Sequence, residues 1–288
     1  MDIQKSFKHT SDYGSLYLVP TPIGNMQDMT FRAVDTLKSV DLVASEDTRN
    51  TQKVLNYFEI KKPQESFHEH NASQKIPDLL DFLKAGKSIA QVSDAGMPSI
   101  SDPGHDLVKA AILEEIPVIA LPGASAGITA LIASGINPQP HIFYGFLPRK
   151  KSQQIAFLEE KKAYPETQIF YESPYRVSAT LENMLAVYGD RKISLVRELT
   201  KVYEEYRRAT ISSVLASLEE FPIKGECLII VSGADEMPSE DLSLAELSVK
   251  EEVEFYMAEG LMSKDAIKKT AKRRDLAKQE VYKEYHEF

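Results

Sequence analysis

The stretch SDAGMPSISDPG, residues 93–104, decides the fold more than any other part of the 288-residue chain. It places two Asp, two Pro and two Gly directly behind the apolar run SIAQV, residues 88–92. These residue types end strands and hold tight turns. In an α/β protein such a turn lies at the carboxyl end of a strand, where ligands bind. We therefore expect a strand at 89–92 that leads into a binding turn.

Two other segments share this composition, LVPTPIGN at 18–25 and LPGASA at 121–126. Three stiff turns, each following an apolar run, predict one binding site formed mostly by backbone groups. The first turn has one glycine where a dinucleotide-binding fingerprint needs three, and no GxxxxGK[ST] motif occurs, so no phosphate cradle is specified. A ligand without phosphates fits this pattern. The alternative is that Pro20 and Pro22 only stiffen a strand-to-helix turn.

Composition sets the class of protein. Lys and Arg total 34 against 43 Asp and Glu, a net charge of −9, which argues against indiscriminate coating of nucleic acid but permits a local basic face. The one cysteine, Cys227, excludes an internal disulfide and fits a reducing compartment. The first residues resemble no signal peptide, and no apolar run approaches membrane-spanning length. We expect a cytoplasmic protein with no membrane partner.

Apolar runs and helical periodicity alternate along the chain, which predicts an α/β fold with parallel strands and helices on both sheet faces. Strands are expected at 16–19, 42–44, 89–92, 118–121, 142–144, 168–171, 193–197 and 228–231, and helices at 30–40, 77–85, 106–114, 126–133 and 177–187. In the later half, 193–199 and 203–210 are expected to pair as antiparallel neighbours. The predicted division is an α/β domain at 14–122, a second at 123–235, a linker at 233–240 and a small helical module at 240–288.

The predicted module carries a basic segment. Residues 264–274 hold six basic residues against one acidic residue, Asp265; the six are Lys264, Lys268, Lys269, Lys272, Arg273 and Arg274. An apolar-leaning face lies opposite and consists of Ala266, Ile267, Thr270 and Ala271. This concentration in an acidic protein favours nucleic-acid contact, with Arg273 and Arg274 among the contacting residues. A solvated charged face is the alternative.

Candidate catalytic residues follow the second strand. Glu46, Asp47 and Arg49 supply two carboxylates and a guanidinium at a strand-to-helix junction, where they can position a hydroxyl or a phosphate. The alternative is a helix cap by Asp47 or Thr48 with Arg49 on the surface. His68, in HEHN at 68–71, is expected to make polar contacts at a cleft rim. A metal site is not expected, because no further Cys/His cluster supplies a third ligand.

Basic residues stand beside aromatic ones in FLPRKK at 146–151 and YESPYR at 171–176. Cations meet phosphate and rings stack on bases, so this pattern suits RNA. A charged helix start is the alternative in each case.

Nine segments carry a resemblance: LYLVPTPIGN, SEDTRNT, HEHN, VSDAGMPSISDPG, LPGASAGITAL, GFLPRKK, IFYESPYR, RELTK and KGE. In this order, across 16–226, they resemble the tetrapyrrole methylase superfamily, and within it the branch that methylates small-subunit ribosomal RNA. The tail resembles the helix-turn-helix-like module of that branch. Each motif alone is weak, but nine in register are specific.

The resemblance implies two α/β domains of tetrapyrrole methylase type with a cleft between them, S-adenosyl-L-methionine as methyl donor, and a homodimer. The implied reaction is 2′-O-methylation of a cytidine ribose in the decoding region of 16S rRNA, with free rRNA or the 30S subunit as partner. Implied donor contacts are Pro22, Asp94, Ala95, Met97, Ile100, Ser125, Ala126, Tyr171 and Leu199, and the catalytic candidates are Glu46, Asp47, Arg49 and His68. Met97 stands where the family more often has Thr, and its side chain carries no hydroxyl, so a contact there would be made by the backbone.

Two rival functions stay open at this point. One is a methylase acting on a small, tetrapyrrole-like acid, although the basic tail and GFLPRKK give such an enzyme no obvious benefit. The other is a non-enzymatic RNA-binding assembly factor, which would not bind the methyl donor.

Overall fold

The computed structural model describes residue 4 and residues 12–100, 102–234, 247–258, 261–274 and 276–286. The chain divides into two compact units, Met1–Ala234 and Asp235–Phe288, each with its own hydrophobic core. The linker predicted at 233–240 falls largely outside the described residues. Within those residues, no helix combines the length and the apolar character needed to cross a membrane.

The first sheet contains five strands, and all its pairings are parallel, as predicted. The strands are β1 (Leu16–Leu18), β2 (Leu42–Ser45), β3 (Gln64–Ser66), β4 (Ile89–Val92) and β5 (Val118–Ala120). Their order across the sheet is β3-β2-β4-β1-β5. The edge strand β3 was not predicted, because its three residues are polar and half-buried and form no apolar run.

Helices cover both faces of this sheet, which confirms the doubly covered arrangement. They are α1 (Phe31–Ser39), α2 (Thr48–Tyr57), α3 (Ala72–Lys84) and α4 (Gly104–Leu113). On one face Leu37 of α1 and Leu55 of α2 pack in one cluster with Val43. On the other face, Leu79 of α3 and Leu107 of α4 join a second cluster. Each fully buried side chain of this kind stabilises the fold by about 1.5 to 3 kcal/mol.

The order of strands creates a crevice at one place. β1 and β4 are neighbours, yet the helices that follow them, α1 and α4, pack on opposite faces. Connections that leave adjacent parallel strands toward opposite faces open a gap beyond the carboxyl ends, and ligands of open α/β sheets bind there. The turns after these strands meet in this gap, where Thr21 and Gly96 form an isolated antiparallel bridge.

The second sheet is mixed. Its strands are β6 (His141–Phe146), β7 (Thr167–Glu172), β8 (Lys192–Arg197), β9 (Glu205–Thr210) and β10 (Cys227–Val231), in the order β6-β7-β10-β8-β9. Only β6 and β7 pair in parallel among the described pairs, and β8 and β9 are antiparallel neighbours as predicted. The helices here are α5 (Ala126–Ile132), α6 (Lys151–Lys161), α7 (Val177–Tyr188) and α8 (Ile211–Glu220).

Helix α5 packs against the second sheet, although it follows the last strand of the first. Ala130 and Leu131 lie in one cluster with Ile169, Val196 and Ile230. This packing supports a boundary between the two sheets just before α5. The division at 14–122, 123–235 and 240–288 stays a prediction.

The C-terminal unit consists of α9 (Val249–Ala258), α10 (Ser263–Arg274) and α11 (Lys278–His286). Val253, Ile267 and Val281 are fully or almost fully buried in its core. The predicted apolar face of α10 is also buried, which confirms its inward orientation: Ala266, Ile267, Thr270 and Ala271.

Two residues of the predicted basic face do not belong to it. Arg273 and Arg274 are directed at the completely buried carboxylate of Glu252 on α9 and form ion pairs with it. Their side chains are 14% and 23% exposed and are directed inward, which speaks against their expected contact with nucleic acid. A buried carboxylate requires such partners, because an unpaired buried charge is strongly unfavourable. Of the other four, Lys264, Lys268 and Lys272 are exposed, whereas Lys269 is half-buried with its ammonium over the Tyr256 ring.

Candidate functional site

A cavity of about 900 Å³ lies between the carboxyl-end turns of the first sheet and the face of the second. Ile23, Glu46 and Ser125 reach it from the turns after β1, β2 and β5, and residues 93–97 reach it from the turn after β4. Tyr171 and Leu199 line the opposite wall. Its volume falls within the range of small-molecule sites, about 300 to 1,000 Å³.

The turns on the first side are joined by backbone hydrogen bonds. Thr21 and Gly96 each donate an N–H to the other's carbonyl oxygen, both at 3.0 Å. The Thr21 hydroxyl also donates to the carbonyl oxygen of Ser93 at 3.1 Å, and the Ser93 hydroxyl donates to that of Gly96 at 3.2 Å. Gly96 has φ +79°, which favours glycine. The two turns thus form one rigid floor.

The far end of the long turn is held by one carboxylate. Asp102 accepts the backbone N–H of Ser99 and of Gly104, both at 2.8 Å, and the side-chain amide of Gln91 at 3.0 Å. Ser99 adopts φ +67°, a strained conformation for a residue other than glycine. Such strain persists where the surroundings impose it, and it concentrates at functional sites.

A second carboxylate links the turn after β4 to the turn after β2. Asp94 accepts the backbone N–H of Asp47 and the side-chain amide of Asn50, both at 3.1 Å. Asp47 caps α2 by accepting the Arg49 N–H at 2.8 Å, and it also binds the guanidinium of Arg49 through both carboxylate oxygens. That arrangement matches the capping alternative for this segment. Neither Asp47 nor Arg49 lines the cavity, and the Arg49 side chain is 87% exposed.

Glu46 differs from its neighbour because it faces the cavity. Burial raises the pKa of the Glu46 carboxyl above its ordinary value of 4.5. The backbone N–H of Asp94 opposes this shift, whereas the charges of Asp94, Asp102 and Asp47 add to the rise in pKa. A carboxylate with a raised pKa inside a cleft is typical of a proton acceptor.

The second sheet supplies an apolar wall. The Tyr171 ring lies edge-to-face with Phe143 and Phe146, at centroid distances of 4.9 and 5.5 Å. Burial raises the pKa of the Tyr171 hydroxyl, although the backbone N–H of Gly127 hydrogen-bonds to it and opposes the shift. These rings give the cavity an apolar surface on one side.

The loop after β8 forms the rim beside Leu199. Glu198 and Thr200 both adopt positive φ, +48° and +65°. The Lys201 ammonium contacts the carboxylates of Glu198 at 2.9 Å and Glu226 at 3.0 Å. The hydrogen bond from Lys201 is the main reason that the pKa of Glu198 falls below its usual value. Gly225 adopts φ +87°, a backbone conformation that favours glycine.

The structure places almost all of the expected donor contacts on this cavity. They are Asp94, Ala95, Met97, Ile100, Ser125, Ala126, Tyr171 and Leu199. Pro22 does not line it, but the next residue, Ile23, does. Of the catalytic candidates, Glu46 lines the cavity and Asp47, Arg49 and His68 do not.

His68 lies in the turn after β3, not on a strand, with its ring 5.9 Å from that of His70. Its Nδ1 atom is buried and has no hydrogen-bond partner in the described part of the chain. Across the same residues, no group of three or more His, Cys, Asp or Glu side chains is arranged to hold a metal ion.

Sequence reasoning missed several lining residues. Phe143 lies within β6, and Glu172 and Glu226 lie in the quoted motifs YESPYR and KGE without an assigned role. Their positions at strand ends could have identified both glutamates, since Glu172 ends β7 and Glu226 precedes β10. In an antiparallel pair, the end of one strand meets the start of the other, and Glu172 is paired with Cys227.

The family model of Tetrapyrrole (Corrin/Porphyrin) Methylases matches residues 15–215, which cover both sheets up to α8. A protein of Streptococcus pyogenes serotype M1 named ribosomal RNA small subunit methyltransferase I is 62% identical over the full length of both chains. A Bacillus subtilis (strain 168) protein of the same name is 52% identical over 98% of each chain.

The fold also recurs in solved structures. One is uroporphyrin-III C-methyl transferase from Thermus thermophilus complexed with S-adenyl homocysteine, with a TM-score of 0.53 and 20% identity over 77% of this chain and 98% of that one. At this identity the likeness shows the fold alone. With the family match and the full-length relatives, it leads to one conclusion: the chain is a methyltransferase that belongs to the tetrapyrrole methylase family and, within it, to the group of ribosomal RNA small subunit methyltransferases I.

Proposed function

We propose that this protein transfers a methyl group from S-adenosylmethionine to the 2′-hydroxyl of a cytidine ribose in the decoding region of 16S rRNA. One observation carries the proposal: a single cavity joins rigid backbone turns to a desolvated carboxylate, in a chain whose full-length relatives are named for rRNA methylation. The protein acts in the cytoplasm as a homodimer, on free rRNA or on the 30S subunit.

The residues of the cavity fit the methyl donor, which supplies a methyl group on a positively charged sulfonium sulfur. A donor without phosphates needs no glycine-rich cradle, and the turns after β1 and β4 contain none. The carboxylates of Glu46 and Asp94 lie on the cavity and favour a cationic ligand. Ala95, Ser125 and Ala126 are small, so a ligand can approach the backbone closely at these positions.

The chemistry asked of the protein is mainly alignment. Methyl transfer is an in-line attack by the ribose oxygen, so donor and acceptor must be held with the reacting atoms about 3 to 3.5 Å apart and water kept out. A ribose hydroxyl is a weak nucleophile, and a carboxylate that takes its proton assists the attack. We assign this role to Glu46. Asp47 and Arg49 then position the turn, and the role of His68 lies outside the cavity.

Methyl incorporation from labelled donor tests the reaction. Small subunits and naked 16S rRNA from cells that lack the enzyme are incubated with the full-length protein, with uroporphyrinogen as the competing acceptor. We expect label on RNA, at a site where the phosphodiester resists alkali, because a methylated 2′-oxygen cannot attack its neighbouring phosphorus. Label on uroporphyrinogen alone would support the small-molecule alternative. Absence of transfer together with absence of donor binding would support the assembly factor.

The substitution Ala126→Leu tests the donor site. Ala126 lines the cavity at the start of α5, so three extra carbon atoms there would compete with the donor for space, and about 1.4 kcal/mol of lost binding free energy is tenfold in affinity. We therefore expect donor affinity, measured by calorimetry, to fall about tenfold or more, with an unchanged melting temperature. Ala216→Leu, on the exposed face of α8, is the matched control. Equal donor affinity in the two variants would remove Ala126 from the site.

A further inference from the structure

A second cavity of about 560 Å³ adjoins the first. It is lined by Phe146, Leu147, Arg149, Ser173 and Arg176. Phe146 and Ser173 line both cavities, so the two share a wall. The second cavity is formed where the loop before α6 meets the loop before α7.

Arg176 holds these two loops together. Its guanidinium donates to the carbonyl oxygen of Pro148 at 3.1 Å and to that of Leu147 at 3.4 Å. It also lies 3.5 Å from the buried carboxylate of Glu172, which neutralises part of its charge. Arg176 is therefore a positioning residue that orders the loop carrying Arg149.

Arg149 is the cation of this cavity that is available to a ligand. Its side chain is exposed, and within the described ranges its guanidinium makes no ion pair or hydrogen bond. A guanidinium presents five N–H donors in a planar fork that matches two phosphate oxygens. An unpaired fork inside a concave surface favours an anion with that geometry.

The two cavities differ in charge. Carboxylates line the first, among them Glu46, Asp94 and Asp102, whereas none of the residues lining the second is a carboxylate. A cationic ligand is favoured in the first cavity and an anionic one in the second. The helices α6 and α7 start beside the second cavity without side-chain caps, so their first-turn N–H groups add positive potential there.

An aromatic ring lies between the cavities. Phe146 is 68% exposed although it lines both of them. A large apolar ring left in solvent beside a cation is the arrangement that single-stranded nucleic acid uses, since bases stack on rings while cations bind the backbone.

We propose that the second cavity is a phosphate subsite of the RNA substrate, in which Arg149 binds the phosphodiester next to the acceptor ribose and Phe146 stacks on an adjoining base. The inference rests on the proposed function. An acceptor ribose in the first cavity carries its 3′-phosphate on the neighbouring oxygen, so a phosphate site must adjoin that cavity. The second cavity is adjoining, cationic and open.

The test compares Arg149→Ala and Arg149→Lys with Arg32→Ala, an exposed arginine on α1 with no role in either cavity. For Arg149→Ala, we expect the affinity for 16S rRNA and the KM of methyl transfer to worsen about tenfold, the loss typical of one charged hydrogen-bonded contact. The slope of log affinity against log salt should become shallower by about 0.7, the value for one phosphate on a single strand. Donor affinity should not change. Arg149→Lys should keep the salt slope but not the full affinity.

Two results would overturn the subsite. One is an RNA affinity and salt slope of Arg149→Ala equal to those of Arg32→Ala. The other is a loss of donor affinity, which would assign Arg149 to the first cavity. The RNA-binding measurements need no turnover, so they test the subsite even where transfer fails. Failure of the proposed function is distinct, because it appears as absence of ribose methylation by the unsubstituted protein.

Discussion

Glu46→Gln is expected to lower kcat for methyl transfer about 10² to 10⁴-fold, the contribution typical of one general base. The amide keeps the size of the side chain but cannot take the ribose proton. RNA affinity should stay within about threefold of the unsubstituted protein, and donor affinity should fall by less than about tenfold, because Asp94 still provides a carboxylate on the cavity for the cationic donor. A large loss of kcat with little change in binding is the signature of a group that acts in the transition state.

The pH profile makes the test sharper. Burial raises the pKa of Glu46, and a base must be deprotonated to act, so activity should be lost as pH falls through that raised pKa. The loss should begin at a higher pH than an ordinary glutamate, with its pKa of 4.5, would give. The residual activity of Glu46→Gln should lack this limb of the profile.

Glu219→Gln, on the exposed side of α8, makes the same chemical change away from the cavity and is the matched control. Asp47→Asn separates the two neighbouring carboxylates, since Asp47 binds Arg49 and caps α2 instead of facing the cavity. If Asp47→Asn lost more kcat than Glu46→Gln and abolished the acidic limb, the assignment of the proton acceptor to Glu46 would be wrong.

Much of the cavity could be predicted from the sequence because backbone chemistry builds it. The turn at 93–104 and its two counterparts follow apolar runs, and parallel strands bring their carboxyl ends to one edge. That rule alone places Ala95 and Ser125 near each other. The rule could not tell whether Glu46 or Asp47 faces the cavity. That depends on which of the two side chains caps α2, and the structure assigns the cap to Asp47.

The tail shows a different limit. Periodicity located the buried face of α10 correctly, because burial of apolar side chains repeats with the helical turn. Arg273 and Arg274 resembled solvated cations because their partner, Glu252, lies more than twenty residues away and on another helix. Local pattern contains no information on such a pairing. The edge strand β3 was missed for the related reason that strand pairing, not its own polar residues, defines it.

Glu252→Gln is expected to destabilise the C-terminal unit by about 3 to 5 kcal/mol, the cost of removing one member of a buried charge cluster. Glu252 is completely buried, and its carboxylate accepts hydrogen bonds from both arginines, that from Arg274 Nε at 2.6 Å. Loss of its charge removes the carboxylate with which both poorly exposed guanidinium groups form ion pairs. Three short helices around a small core have a small free energy of unfolding. A loss of this size should therefore unfold α9, α10 and α11 together.

Hydrogen exchange on the full-length protein measures this effect. Amides of α9 to α11 should lose protection in Glu252→Gln, while those of the two sheets keep it and donor affinity is unchanged. RNA affinity should fall, because Lys264, Lys268 and Lys272 are no longer presented on a folded helix. Glu254→Gln, an exposed glutamate on the same helix, controls for the loss of one negative charge.

Acidification should reproduce the substitution in the unsubstituted protein. Burial alone would raise the pKa of Glu252, but the hydrogen bonds and charges of Arg273 and Arg274 outweigh it and lower that pKa below its usual value. A carboxyl whose pKa is lower in the folded state stabilises the fold above its unfolded pKa, and that stability disappears as pH falls through the folded pKa. Protection of α9 to α11 should therefore decline below pH 4.5, the ordinary pKa of a glutamate. Protection that is unchanged by both acid and Glu252→Gln would show that the ion pairs do not hold this unit together, and would return Arg273 and Arg274 to the RNA-contacting face.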